Sequence, residues 1–322
     1  MGSAVGQAVL GPKHQGKGFL IGGLAGTLPD LDVIPLMNSS VISQLMHHRG
    51  FSHSVLFCLT MPFLCSWISK KVFKWSISFN RWFTFWFLAF FTHIILDLMT
   101  TWGTQILWPY THRYALDSLF IIDPLVTLPL IVGCIIAKLK KSTRAAIWGM
   151  TLSGLYCTFA LSANLYMSHQ FAEQFAKKNI PIIKQLVKPT PFNTLFWSTT
   201  AITTNDTLVM GYARLWDPSE SIVFDTPINR NSETLNKTTH PEIQQLLTIT
   251  KGYYLLEQTP ETFTIKDARF GRFGGWDNAN KSHFIFNYSL DKQENTWSQY
   301  RPTDINEKAL LKSLIERILA SH

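Results

Sequence analysis

Ala145–Met167 runs for 23 residues without a charged side chain. A bilayer's hydrocarbon core takes roughly 20 apolar residues of helix to cross, so this run constrains the chain more than any other feature. Other runs share its character. Phe83–Thr101 is apolar except for His93 and Asp97. Leu119–Leu139 is apolar except for Asp123 and Lys138, and Ser54–Ser69 is a shorter uncharged run of 16 residues. Gly18–Leu28 is too short to span and reads as a half-helix or re-entrant piece, tolerated only where protein covers it. The expected fold class is therefore a polytopic α-helical membrane domain of about four spans plus a short N-terminal half-helix. A cleavable signal peptide fits poorly, because an Asp-rich motif follows the Lys13–Leu28 stretch where a cleavage site should stand.

Charge sorts the chain into two parts. Met1–Ser168 holds 12 Lys and Arg against 5 acids, and the remainder holds 17 against 16. The overall net charge of +8 thus comes from the apolar half. This is not a basic face on a soluble domain, and no direct nucleic-acid binding is expected. Lys70, Lys71, Lys74 and Arg81 fall between the first two spans, and Lys138, Lys140, Lys141 and Arg144 between the last two. By the bias of Lys and Arg toward the cytoplasm, both loops are cytoplasmic. Residues 29–53, 102–118 and everything after about 168 then lie outside, which in a bacterium means a multi-pass inner-membrane protein with a periplasmic C-terminal domain. The four cysteines all fall in expected spans, so the outer domain gains nothing from an oxidising compartment.

The domains expected are 1–168, helical and in the membrane; 169–190, a linker; and 191–322, a β-rich α+β domain. Pro189–Phe192 looks like a boundary. Strand-type runs follow at Leu195–Thr203, Thr207–Trp216, Ser221–Phe224, Gly252–Glu257, Thr262–Phe270 and His283–Tyr288, punctuated by Asn205-Asp206 and Gly274-Gly275. Pro241–Leu247 reads as a turn or two of helix. Asp304–Leu319 reads as an amphipathic closing helix with Asp304 as N-cap.

The acids of the membrane half are Asp30, Asp32, Asp97, Asp117 and Asp123. Most of its acids and histidines fall in three motifs: LPDLD, HHRGFSH and THIILD. All three sit at the outer end of the expected bundle. His93 and Asp97 are four residues apart and share a helix face. Ionisable groups inside a span are costly and face the bundle interior. This pair either ligates a metal or locks two helices by a hydrogen bond. Asp30 and Asp32 offer two carboxylates to a cation, or simply end a helix. His48 and His53 converge if Gly50 bends the chain, while adjacent His47 packs or hydrogen-bonds. Taken together, three clusters at one membrane depth point to a metal site. Arg49 is either an anion clamp or a salt-bridge partner of an Asp. Ser52 and Ser54 read as hydrogen-bonding neighbours of His53. Asp123-Pro124 reads as a helix start. His112 and Arg113 form either a rim of the site or part of an aromatic belt with Trp108 and Tyr110.

The ordered motifs GTLPDLD, HHRGFSHS, FTHIILDLMTTWG, ILWP and IIDP resemble the membrane-bound metal-dependent hydrolases. That family was first described as a domain of unknown function, and some members are labelled LexA-binding, inner membrane-associated hydrolases. The resemblance covers about residues 4–135, and Pro189–Trp197 is similar to the start of the outer domain in longer members. It implies Asp30, Asp32, His48, His53, His93 and Asp97 as metal ligands, with no clear counterpart for His47. Members of that family carry a helix with Thr-His or Thr-Gln before the Gly-rich stretch; MGSAVGQAVLG corresponds to the inside of that helix. An Asp, a His and then His-x-x-x-Asp on a helix are also similar to part of the zinc ligand set of phospholipase C and related single-strand nucleases. The resulting expectation is a hydrolase holding one or two divalent ions, most simply Zn²⁺, with Arg49 and Asp32 as catalytic residues. Its substrate would be a phosphoester or lipid-linked compound at the outer face of the inner membrane, attacked by a metal-activated water. The alternative is a non-catalytic scaffold or regulatory protein with a structural metal. A third possibility, ion or proton transport, calls for a continuous polar path that these spans do not offer.

Overall fold

The computed structural model describes residues 1–237, 240–277, 282–303 and 306–320. They form two compact units. The first comprises Met1–Asn38, His47–Ser162 and Pro191–Asn193; the second comprises Ser39–Met46, Ala163–Thr190 and Thr194–His322.

In the first unit, α1 (Gly2–Leu10) packs against α2 (Gln15–Thr27) through glycines. A Cβ on Gly6 would lie 2.0 Å from the carbonyl oxygen of Gly18, so only bare backbone permits this approach. A 3₁₀ stretch, Pro29–Leu36, continues α2 at an angle of 51°. The bent pair is long and apolar enough for one broken span or a re-entrant loop, as the short Gly18–Leu28 run suggested. After the short helix α3 (Val41–His47), most of which belongs to the second unit, come α4 (Val55–Val72) and α5 (Phe79–Leu98), which pair with each other. Ser54 caps α4 by accepting from Phe57 N, and Ser78 caps α5 by accepting from Arg81 N. Trp82, Phe85, Phe90, Phe57 and Val5 form the buried core, while Leu59, Phe63 and Trp67 of α4 face outward. Apolar side chains turned outward suit a helix solvated by lipid rather than water.

α6 (Pro124–Lys140) starts later than the apolar run from Leu119 suggested. Asp123 accepts from Leu125 N and Pro124 opens the helix. The resulting 17 residues rise about 26 Å, a little short of the ~30 Å hydrocarbon core. α7 (Thr143–Lys177) is 35 residues long. Among the described residues, three helices, α4, α5 and α7, are each long and apolar enough to cross a membrane, or four spans if the bent pair is counted.

The stretch 169–190, expected as a linker, is structured. Its first part continues α7, and Ile182–Pro189 forms strand β1. In the second unit β1 pairs with β2 (Phe196–Thr203), β2 with β3 (Thr207–Arg214), and β3 with the short β4 (Val223–Phe224) and β5 (Ile228–Asn229), all antiparallel. A second antiparallel sheet runs β6 (Tyr254–Gln258), β7 (Thr262–Arg272), β8 (Phe284–Asp291), β9 (Thr296–Tyr300). Met167, Phe171 and Phe175 of α7 cover one face of the first sheet at Trp197 and Val209. Ile202 and Leu208 on its other face pack against Leu255 and Phe284 of the second sheet. This helix–sheet–sheet layering buries every residue of β2. α8 spans Pro241–Ile249 and α9 spans Glu307–Leu319. The expected cap Asp304 lies outside the described residues; Asn306 caps α9 by accepting from Ala309 N.

Candidate metal centre

The HHRGFSHS segment ends one helix and begins the next. α3 stops at His47, and Arg49 takes a left-handed φ of 59°. Gly50 admits no side chain, since a Cβ would sit 2.8 Å from the His47 carbonyl oxygen. One 3₁₀ turn, Phe51–His53, then leads to Ser54 at the cap of α4. This turn drives His53 inward until it is fully buried. The loop after α5 fastens the segment from outside. Gln105 N donates to the Arg49 carbonyl, and the buried Arg113 guanidinium donates to the His48 carbonyl at 2.8 Å. Arg113 therefore braces the site through the backbone, a role that its place in WPYTHRY did not signal.

Three donor atoms converge on a fourth, His53 Nε2. That nitrogen lies 3.2 Å from Asp30 Oδ1, 3.1 Å from Asp97 Oδ2 and 3.2 Å from His93 Nε2. His93 Nε2 is 3.5 Å from Asp30 Oδ1 and 3.4 Å from Asp97 Oδ2. All four atoms lie within 4.8 Å of one another. A tetrahedral ion with bonds of about 2.05 Å has ligand–ligand edges of about 3.3 Å, and these five separations bracket that value. Asp97 Oδ2 is buried and has no hydrogen-bond partner. The residues therefore fit a small divalent ion in size, in donor type and in this unsatisfied oxygen.

The remaining expected site residues surround these four. Asp32 Oδ2 accepts from the Ser52 hydroxyl at 2.8 Å and from Arg49 N at 3.0 Å. Ser52 Oγ lies 2.9 Å from His53 Nδ1. If Ser52 gives its proton to the carboxylate, it must accept from Nδ1–H. That arrangement leaves the lone pair on Nε2, facing the other donors, as the outer carboxylate of a metal-bound histidine does. Asp32 thus reaches the centre through Ser52 and His53. Its Oδ1 pairs with His48 Nδ1 at 2.8 Å, and the His48 side chain stays 35% exposed. Arg49 Nη2 lies 3.1 Å from Asp97 Oδ1, and its Nη1 donates to Thr100 Oγ1 at 2.9 Å. The guanidinium holds one carboxylate oxygen and leaves the other to the centre. His47 and His112 are exposed and outside the group, His112 standing edge-on to Tyr114. Asp123 serves as the α6 cap and accepts from the Tyr156 hydroxyl.

Burial opposes a charged His53. The Asp30, Asp32 and Asp97 carboxylates beside it outweigh that and push its pKa up to about 10. A proton on His53, with the Arg49 guanidinium beside Asp97, offsets the carboxylates. A metal ligated there takes that proton's place.

Fold and site together describe a membrane protein of several apolar helices, carrying a group of two Asp and two His able to hold a metal ion. Residues 1–171 match the YdjM inner membrane protein family, and the chain belongs to it. It is also 29% identical over 113 residues to the inner membrane protein YbcI of Escherichia coli (strain K12). That similarity covers 34% of this chain and 62% of YbcI's length. No solved structure matches the chain.

Proposed function

We propose that this protein is a metal-dependent hydrolase of the inner membrane, with one divalent ion, most simply Zn²⁺, held by Asp30, His53, His93 and Asp97. The convergence of four donor atoms at tetrahedral spacing carries this reading. A bound divalent ion supplies Lewis-acid chemistry, polarising an ester oxygen and acidifying a water. The protein's own residues supply the rest. Asp32 and Ser52 hold the His53 tautomer, and Arg49 orients Asp97. Asp30, with a side chain 46% exposed, leaves one flank open to substrate. Exposed His48 beside Asp32 is placed to meet an anionic group there, or to help hold a second ion. The substrate class proposed is a phosphoester, and the outer face of the membrane is the side on which the Lys/Arg bias of the loops puts the site.

The donor count favours a second reading. Catalytic zinc sites usually have three protein ligands, and four protein donors can close a structural site. Elemental analysis of the detergent-purified full chain, beside His93→Ala and Asp97→Asn, separates the possibilities, followed by assay of bis(p-nitrophenyl) phosphate. Stoichiometric metal, lost in both variants, with ester cleavage lost alongside it, is the expected result. Stoichiometric metal without cleavage of this or other phosphoesters assigns a structural ion. A folded, metal-free wild type makes the cluster a polar helix-packing network.

A further inference from the structure

The first unit has a second charged end. Arg81 opens α5 and Asp97 closes it, sixteen residues apart, or about 24 Å along the helix. Lys13 and Lys17 sit at the start of α2, and Lys70, Lys71 and Lys74 at or just past the end of α4. Apart from Asp30 and Asp32, the sequence has no acid before Asp97. Six cations therefore gather at the end remote from the metal centre without a carboxylate among them.

Part of this charge is held in a defined geometry. Arg81 Nε donates to the Val9 carbonyl at 2.5 Å. Its Nη2 rests against Gly11, where a Cβ would lie 2.7 Å away and where φ is +92°. The guanidinium is fixed from one side, with no carboxylate partner among the described residues. Beside it the His14 ring stacks on Trp75, with centroids 4.1 Å apart and planes 11° apart. Lys17 Nζ lies 5.6 Å from the Trp75 ring centroid, and Lys71 Nζ lies 3.6 Å from that of Trp67. Lys13, Lys17 and Arg81 are all close enough to act on the His14 ring. Like charges crowded this way are relieved by an anion. At the end of membrane helices, beside tryptophans that prefer the headgroup level, the anion at hand is a lipid phosphate.

We propose that Lys13, Lys17 and Arg81, over the His14–Trp75 stack, form a binding site for the headgroup phosphate of an anionic phospholipid. Arg81 supplies planar paired donors to phosphate oxygens, the lysines supply point charge, and Trp75 lies along the glycerol region. The site is independent of the metal centre.

The test titrates the detergent-purified full chain with short-chain phosphatidylglycerol or phosphatidylcholine, read by native mass spectrometry. Saturable one-to-one binding of phosphatidylglycerol is expected. A Lys13→Gln/Lys17→Gln/Arg81→Gln protein should bind about a hundredfold more weakly, at about tenfold or less per charge. Lys138→Gln/Lys140→Gln/Lys141→Gln removes as much charge from the end of α6 and should bind as wild type does. Equal losses in the two triple variants, or no preference for the anionic lipid, would overturn the site in favour of diffuse attraction. If the first triple variant does not fold, exposed Lys13→Gln/Lys17→Gln carries the same comparison. Trp75→Leu keeps every charge and should still weaken binding severalfold; wild-type affinity there overturns the site as drawn.

Discussion

Two charge clusters among the described residues, one fully buried and one partly open, solve the same problem differently. In the second unit, Asp267 and Arg269 are both fully buried. Arg269 Nε donates to Asp267 Oδ1 at 3.0 Å and Nη2 donates to Oδ2 at 2.7 Å. This bidentate pair matches donors to acceptors and offsets its own charge. In the first unit, Asp30, His53, His93 and Asp97 aim oxygens and nitrogens at one another, and Arg49 engages only the far oxygen of Asp97. A self-neutralised pair stabilises a fold and asks for nothing further. Converging carboxylates and imidazoles call for a proton or a metal ion among them, and this difference marks the second cluster as the candidate site.

The contrast is sharpest under substitution. Arg269→Ala should strand a buried carboxylate and cost about 3–5 kcal/mol, read from denaturant unfolding of the full chain. An effect below 1 kcal/mol would remove the pair from its structural role. Stripping metal with a chelator should lower the stability of the first unit by about 3–4 kcal/mol if the ion is normally present at 100 to 1,000 times its dissociation constant. Differential scanning calorimetry of wild type and Asp97→Asn checks this, because the variant should not respond to chelator. Ser52→Ala should leave folding intact and weaken metal binding about ten- to a hundredfold, the usual cost of losing an outer partner of a ligating histidine; competition with a zinc indicator measures it. Ser54→Ala, two residues on, should cost about 1 kcal/mol of stability through the α4 cap with metal affinity unchanged. A Ser54 variant that loses metal while Ser52→Ala keeps it would reverse the roles assigned to the two serines.

Periodicity showed much of this in advance. The apolar runs marked α4, α5 and α7, and spacing alone put His93 and Asp97 on one face of α5. Elements whose burial comes from partners were harder to see. β1 carries Lys184 and Lys188 and is mostly half-exposed, and β9 is an edge strand with a polar sequence, so neither shows a continuous apolar pattern. The large apolar side chains that the end of α7 buries are Met167, Phe171 and Phe175, one per turn, among polar neighbours that resemble a linker.

The sequence by itself determined that this chain enters a membrane and which side chains hold the donor atoms, because apolar run length and residue chemistry are local properties. The tertiary structure decided which donors meet. Asp30 depends on glycine packing between α1 and α2, and His53 on the turn braced by Arg113. Asp32 and His48 carry equally suitable atoms, yet their backbone positions turn them toward Ser52 and each other. Convergence in space follows from contacts between distant segments, and no spacing within one motif encodes it.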